Sequence, residues 1–300
     1  MKTTPISKHP RGARRKPHCK AAGLIVGLVL LAATVRAEHY DVFLLAGQSN
    51  MDGRGAKQGL VGDLAKWAQP QPQVLINFRA GGLHRPLTLS HGFKPLAPGF
   101  SGTPGAKPGG LPSATFGPEV SFGATLAAGL PGKKVALIKC AEGGTTLAKD
   151  WAPGEKGKLY EQFINFVGQA LKDLQAKGDT YTLRGMAWHQ GEGDASLPAG
   201  KYQELLTEFI QRVRADLNAQ DLPFVIGEVY DNGHRVAVRE GQKATSVAVV
   251  LTALASVQGL KTSDKGTHFD AASQIELGKR FAQAMLPLLA PGRPGNSATK

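Results

Sequence analysis

The stretch Tyr40 to Met51, YDVFLLAGQSNM, joins a seven-residue run, apolar apart from Asp41, to a turn built from glycine, glutamine and serine. A short apolar run without alternation reads as a strand buried on both faces, the kind found in parallel sheets covered by helices. Val74 to Phe78 (VLINF), Lys134 to Cys140 (KVALIKC), Thr182 to Trp188 (TLRGMAW), Pro223 to Val229 (PFVIGEV) and Val247 to Thr252 (VAVVLT) read the same way. Helical periodicity covers Gly117 to Ala128, Leu159 to Ala176, Lys201 to Ala219, Arg235 to Ser246 and Ala271 to Leu289. This alternation predicts an α/β domain, a three-layer sandwich of helices around a parallel sheet, over residues 38–290. Pro291 to Lys300 carries no motif and is expected to be a flexible tail.

One stretch breaks the alternation. Arg79 to Thr115 holds eight Gly and six Pro in 37 residues, with no sustained period. A loop that long inside a compact domain is a functional lid or binding loop, or else disordered.

The 300-residue chain carries a formal +13, from 36 Lys and Arg against 23 Asp and Glu. Such an excess raises nucleic acid or an anionic membrane as a partner unless it is localised. It is localised: residues 1–37 hold eight basic residues and no acidic one, which leaves 28 against 23, a net +5, for the rest. The basic segment runs into Ala21 to Ala33, apolar apart from its glycines, and then Val35-Arg36-Ala37. That pattern predicts a secretory signal peptide cleaved after Ala37, and so a secreted or periplasmic protein with no stable membrane insertion after cleavage. The alternative is an uncleaved anchor, for which the run falls short of the about 20 residues of a membrane span. Of the two cysteines only Cys140 would remain, so no intramolecular disulfide forms and stability rests on a core. No basic patch interleaved with aromatics is visible, and nucleic acid is not an expected partner.

In open α/β sheets ligands bind beyond the carboxyl ends of the strands. After the first strand, Ser49 sits in a strand-to-helix turn that suits an exposed nucleophile, or simply a helix cap. After Cys140 come Gly143 and Gly144, which let backbone N–H groups approach a ligand closely or form a plain turn. After Trp188 comes His189-Gln190-Gly191-Glu192-Gly193-Asp194, where the Gln190 amide can donate to a developing oxyanion. Its His and carboxylates match no zinc spacing, so neither a metal nor another cofactor is expected. Before the last helix, Asp264-Lys265-Gly266-Thr267-His268 supplies a base and an acid to fix its tautomer. All these groups fall at the ends of expected parallel strands, on the one edge where they can meet. His84, His91 and His234 read as solvated loop histidines without partners, and Cys140 as a small core residue.

With these residues in place the sequence resembles the SGNH hydrolase superfamily, in its sialate O-acetylesterase-like (acetylxylan esterase-like) carbohydrate esterase branch. The motifs that carry the resemblance are GQSNM (Gly47 to Met51), FGPE (Phe116 to Glu119), KCAEGGTTLAKDW (Lys139 to Trp151), WHQGEGD (Trp188 to Asp194) and THFDAASQIELGKRFAQAM (Thr267 to Met285). They follow one another in family order across nearly the whole chain after residue 37. The resemblance implies a flavodoxin-like fold, ester hydrolysis without a metal, Ser49 as nucleophile and His268 as base. It implies an oxyanion hole from the Ser49 N–H, a glycine amide at Gly143 or Gly144, and the Gln190 side chain, with Glu192 and Asp194 in support. The implied substrates are acetylated carbohydrates, as in hemicellulose or sialic acid. One departure stands out: the family acid lies three residues before the His, where this chain has Lys265. Asp264, four before, takes the role if the turn absorbs one residue; Glu192 is the substitute.

Two other readings remain open on sequence. A carbohydrate-binding protein that has lost turnover on the same fold draws its support from the displaced acid. A lipase- or thioesterase-like enzyme needs a long apolar groove, which the Gly/Pro-rich stretch offers few large residues to line.

Overall fold

The computed structural model describes residues 37–102, 111–154 and 158–290. The expected signal segment, all but its last residue, and the expected tail 291–300 lie outside the described residues. Strand β1 (His39–Gly47) leads into a single helical turn, α1 (Ser49–Asp52), and then into β2 (Gly55–Ala56). Next come β3 (Gln71–Ala80), β4 (Thr88–Leu89), β5 (Lys94–Leu96), β6 (Thr115–Phe116), α2 (Glu119–Gly129) and β7 (Lys134–Ala141). Helix α3 (Leu159–Gln175), β8 (Thr180–His189), α4 (Ala199–Asp216), β9 (Phe224–Gly227), α5 (Val236–Ala248), β10 (Thr252–Ala255) and α6 (Ala271–Met285) complete the order.

The main sheet runs β10-β9-β8-β1-β7-β3-β4, with β5 also paired to β3. The pairs from β10 to β3 are parallel, while β4 and β5 join β3 antiparallel. The run β7-β1-β8-β9-β10 repeats the flavodoxin strand order, and β3 is an additional parallel strand beyond β7, itself flanked by β4 and β5. The chain departs from β1 in both directions across the sheet. A crevice therefore opens beyond the carboxyl ends of β1, β7 and β8.

The absence of alternation in YDVFLLA has a direct cause in the layers. Val42, Leu44 and Ala46 face one core with α3 and α4, including Phe163, Val167, Leu206 and Phe209. Phe43 and Leu45 face the other with Phe122 of α2 and Leu277, Phe281 and Met285 of α6. Each large apolar side chain so buried contributes about 1.5–3 kcal/mol, and both faces of the strand draw on that term.

Two expectations are corrected. Part of the Arg79 to Thr115 stretch is ordered by pairing, since β4 and β5 add to the free edge of β3. The strand expected over Val247 to Thr252 is instead the end of α5 and a turn, and β10 begins at Thr252. Val247 and Val250 are 83% and 74% exposed, and Leu251 takes φ +56. A cluster of β-branched residues resembles a strand by composition, yet here Val247 and Val250 face solvent at a helix end and only Val249 packs on the core.

Candidate active site

Gly47 closes β1 with φ +148, and a Cβ there would collide with the His189 carbonyl oxygen. Only glycine lets the two strand ends approach so closely. The Gln48 N–H donates to that same carbonyl at 3.0 Å, and its side-chain Oε1 accepts from the Gly193 N–H at 3.2 Å. The loop after β8 is thereby fastened to the turn that carries Ser49.

Ser49 is the first residue of α1, and its side chain caps no helix. Its Oγ lies 3.1 Å from His268 Nε2, and His268 Nδ1 lies 2.6 Å from Asp264 Oδ2. The other Asp264 oxygen accepts the backbone N–H groups of Thr267 and His268 at 2.8 and 2.9 Å. The extra residue between acid and base is taken up by the turn: Gly266 sits at φ +86 and its N–H donates to the Asp264 carbonyl at 2.8 Å. Partial burial opposes the charge on Asp264, but the two backbone donors and the His268 ring hold its carboxyl below the usual carboxylate range. Ser49 itself is only 4% exposed, whereas a third of the His268 side chain is open to solvent, so access is from the His268 side.

Gly143 packs directly on the serine; a Cβ built there would stand 3.2 Å from Ser49 Cβ. The N–H groups of Ser49 and Gly143 donate to no acceptor among the described residues. Gly144 is the more exposed of the pair, at φ +81.

Gln190 departs from its expected part. It is fully buried, and its Nε2 points at Asp194 Oδ2 (2.6 Å), the Thr145 carbonyl (3.1 Å) and Gln48 Oε1 (3.2 Å). An amide has two hydrogens, and here both are committed to the protein. Asp194 also accepts the Leu147 and Ala148 N–H groups at 2.7 and 3.2 Å, so it ties the loop after β7 to the loop after β8. Burial pushes its carboxyl up despite these donors.

Glu192, the substitute acid, does not reach His268. Its carboxylate accepts from Asn50 Nδ2 at 2.6 Å and stands 3.5 Å from Nε2 of the buried His189. His84 is likewise corrected. It has a partner, with Nε2 2.9 Å from Asp150 Oδ1, and its loop is fixed because the Glu142 carboxylate accepts the Leu83 and His84 N–H groups. His91 and His234 are exposed. Burial pushes the Cys140 thiol up to about 11, which leaves it inert.

Four residues escaped the sequence reading. Asn50 was in view as the neighbour of Ser49. Arg54 pairs with Asp52 at 2.6 Å and brings a guanidinium against Gly143. Arg85 donates from Nε to the Gly143 carbonyl at 3.1 Å, and among the described residues its guanidinium makes no ion pair. Arg85 lies in the Gly/Pro-rich stretch, where no period or motif marks it. Lys139 is buried in β7, inside the apolar run KVALIKC.

Among the described residues no cluster of three His, Cys, Asp or Glu could hold a metal ion, and no helix is long and apolar enough to cross a membrane. A serine hydroxyl on an imidazole, backed by a carboxylate and facing two spare amides, can carry out acyl transfer.

The sequence model of the family described as carbohydrate esterase, sialic acid-specific acetylesterase matches residues 39–287. A probable carbohydrate esterase of Arabidopsis thaliana is 28% identical over 256 residues, 82% of this chain and 90% of that protein. A solved structure of an Arabidopsis thaliana protein superposes with TM-score 0.65 at 22% identity, over 85% of this chain and all of that one. A carbohydrate acetylesterase from Xanthomonas citri does so with TM-score 0.58 at 20% identity, over 83% of this chain and 56% of that one. At such identities the two structures speak for the fold alone.

Proposed function

The chain belongs to the carbohydrate esterase, sialic acid-specific acetylesterase family, and from that premise we propose that it removes O-acetyl groups from carbohydrates through a serine-bound acyl intermediate. It is a carboxylic ester hydrolase; the finer reading rests on one observation, the unbroken contact from Ser49 through His268 to Asp264.

In the first step His268 Nε2 takes the Ser49 proton as Oγ bonds to the acetyl carbon. The negative charge that develops on the carbonyl oxygen is met by the Ser49 and Gly143 N–H groups. Collapse breaks the bond to the sugar oxygen, which takes the proton from His268 and leaves as the free hydroxyl. Water then attacks the acetyl-serine by the same route, and acetate departs. Asp264, held as the carboxylate, keeps the Nδ1 proton in place throughout. Gln190 braces the two loops that carry the amides. The reading as a binding protein without turnover loses its support, because the displaced acid reaches the base.

The Arg85 guanidinium beside Gly143, in no ion pair among the described residues, favours an acidic sugar, the sialate type, over neutral acetylxylan, since a planar cation next to the oxyanion glycine can pair with a carboxylate on the leaving group. Export is proposed from the N-terminal charge pattern, and N-terminal sequencing of the processed protein, expected to begin at Glu38, tests it.

The deciding experiment is acetate release from acetylated sialic acid, acetylated xylan and simple acetylated sugars, with Ser49→Ala as control. Full activity in that variant, or its covalent labelling by a fluorophosphonate at the wild-type rate, would sink the mechanism.

A further inference from the structure

The position of the base is set from an unexpected direction. Asn50 is fully buried, and its Nδ2 donates to the Thr267 carbonyl at 2.9 Å and to Glu192 Oε1 at 2.6 Å. Its Oδ1 accepts the Phe269 N–H at 3.1 Å. One side chain therefore grips the backbone on both sides of His268, 217 and 219 residues away in sequence. Resting on the esterase reading above, we propose that Asn50 is the positioning residue of the base, aimed by the buried pair Glu192 and His189.

The amide has a single workable orientation. Reversed, its oxygen would face the Glu192 carboxylate and its NH2 would face the Phe269 N–H, two repulsive contacts in a buried site. Glu192 is kept ionised against the cost of burial by His189 and by Asn50 itself, so the bond it accepts is charge-assisted. The His189 ring is packed edge-on against Phe269 and Phe281, with centroids at 5.7 and 6.3 Å. Behind Asn50, then, stands a rigid block. Ahead of it, α1 carries Ser49 as the adjacent residue, so one dipeptide holds both the nucleophile and the anchor of the base.

This divides the work. Asp264, 40% exposed on its side chain, fixes the imidazole ring and its tautomer; Asn50 fixes where the ring's backbone stands. A shift of about 1 Å in such a group costs up to about 10²-fold in rate. The Ser49 to His268 distance is the quantity at stake.

The test uses the full chain and 4-nitrophenyl acetate, with near-UV circular dichroism and thermal melting to verify folding. Asn50→Ala is expected to lower kcat about 10–10²-fold with little change in KM, and to slow fluorophosphonate labelling of Ser49 in parallel. Wild-type kcat and labelling in that variant overturn the proposal. A purely structural role would instead lower the melting point without altering either rate in the folded fraction, which also overturns it. Where Asn50→Ala does not fold, Asn50→Asp is compared with Asn50→Asp combined with Glu192→Gln. The introduced amide at 192 then donates to the introduced carboxylate at 50, which still accepts the Phe269 N–H but no longer donates to the Thr267 carbonyl, and kcat is expected to recover in part over the single variant. No recovery overturns the proposal. Loss of turnover by Ser49→Ala alone keeps the esterase reading intact whatever Asn50 does, so the two failures are distinguishable.

Discussion

At the scale of single residues, the acid is the group whose role is easiest to isolate. Asp264 accepts two backbone N–H groups with one oxygen and the His268 ring with the other. Asp264→Asn keeps the size and can keep the turn, but it presents the ring with an amide and loses the preference for one tautomer. We expect kcat to fall by roughly 10²–10⁴ with KM little changed, measured on 4-nitrophenyl acetate. A loss below threefold would return the acid's role to another carboxylate. Arg85→Ala belongs to the same scale: KM for acetylated sialic acid is expected to rise about tenfold, the order of one charge-assisted contact, with a smaller change for a neutral acetate ester. Equal changes on both substrates would remove the preference for acidic sugars. Ser49 and His268 were legible because each sits in a motif, and Asp264 because it is the acid nearest that histidine in the loop before the last helix. Arg85 was not, since its value comes from the Gly143 carbonyl 58 residues away. Gln190 was legible as a donor but not as a donor already engaged, which depends on Asp194 lying within 2.6 Å.

At the scale of elements, one lysine joins three of them and a loop. Lys139 lies in β7 with no exposed surface, and its Nζ donates to Glu119 Oε2 at 2.7 Å, the Asp52 carbonyl at 2.9 Å and the Phe100 carbonyl at 2.9 Å. It thus ties the start of α2, the end of α1 and the loop after β5 to the sheet. Burial pushes the Glu119 carboxyl up and the lysine opposes that shift. Removing one partner leaves a buried charge uncompensated. Lys139→Met is expected to cost about 3–5 kcal/mol, read by urea unfolding, and the double variant with Glu119→Gln to recover part of it. A single variant as stable as wild type would mean that water replaces the ammonium. The strands and helices themselves were legible from apolar runs and periods, because both faces of the sheet are covered. The lysine was hidden inside KVALIKC as an apparent polar end of a strand. The valines of Val247 to Thr252 misled for the opposite reason, carrying strand composition where Val247 and Val250 have no layer to bury them.

At the scale of the molecule, the place of β3 beyond β7 could not be read from sequence, since a parallel strand finds its neighbour through the crossover and not through its own residues. Five carboxyls give the stability a dependence on pH whose direction follows from their surroundings. Asp150, Asp264 and Glu192 are held below the ordinary carboxylate range: burial opposes each, and is outweighed by backbone donors at Asp150 and Asp264 and by His189 at Glu192. Their contribution is complete above the unfolded carboxylate range, about pH 4, and is lost as pH falls through their lowered values. Glu119 and Asp194 are pushed up by burial. For these the folded state holds the proton longer, so their contribution is complete below about pH 4 and is lost as pH rises through their raised values. The two sets bend the stability curve in opposite directions on either side of the same point. The melting temperature is therefore expected to pass through a maximum at about pH 4–5 and to decline gently toward neutrality. Asp194→Asn removes one of the two raised carboxyls and is expected to flatten that neutral-side decline. Calorimetric scans from about pH 3 to 8 measure both, and a melting temperature that climbs steadily to the top of that interval would contradict the assignment of the raised pair.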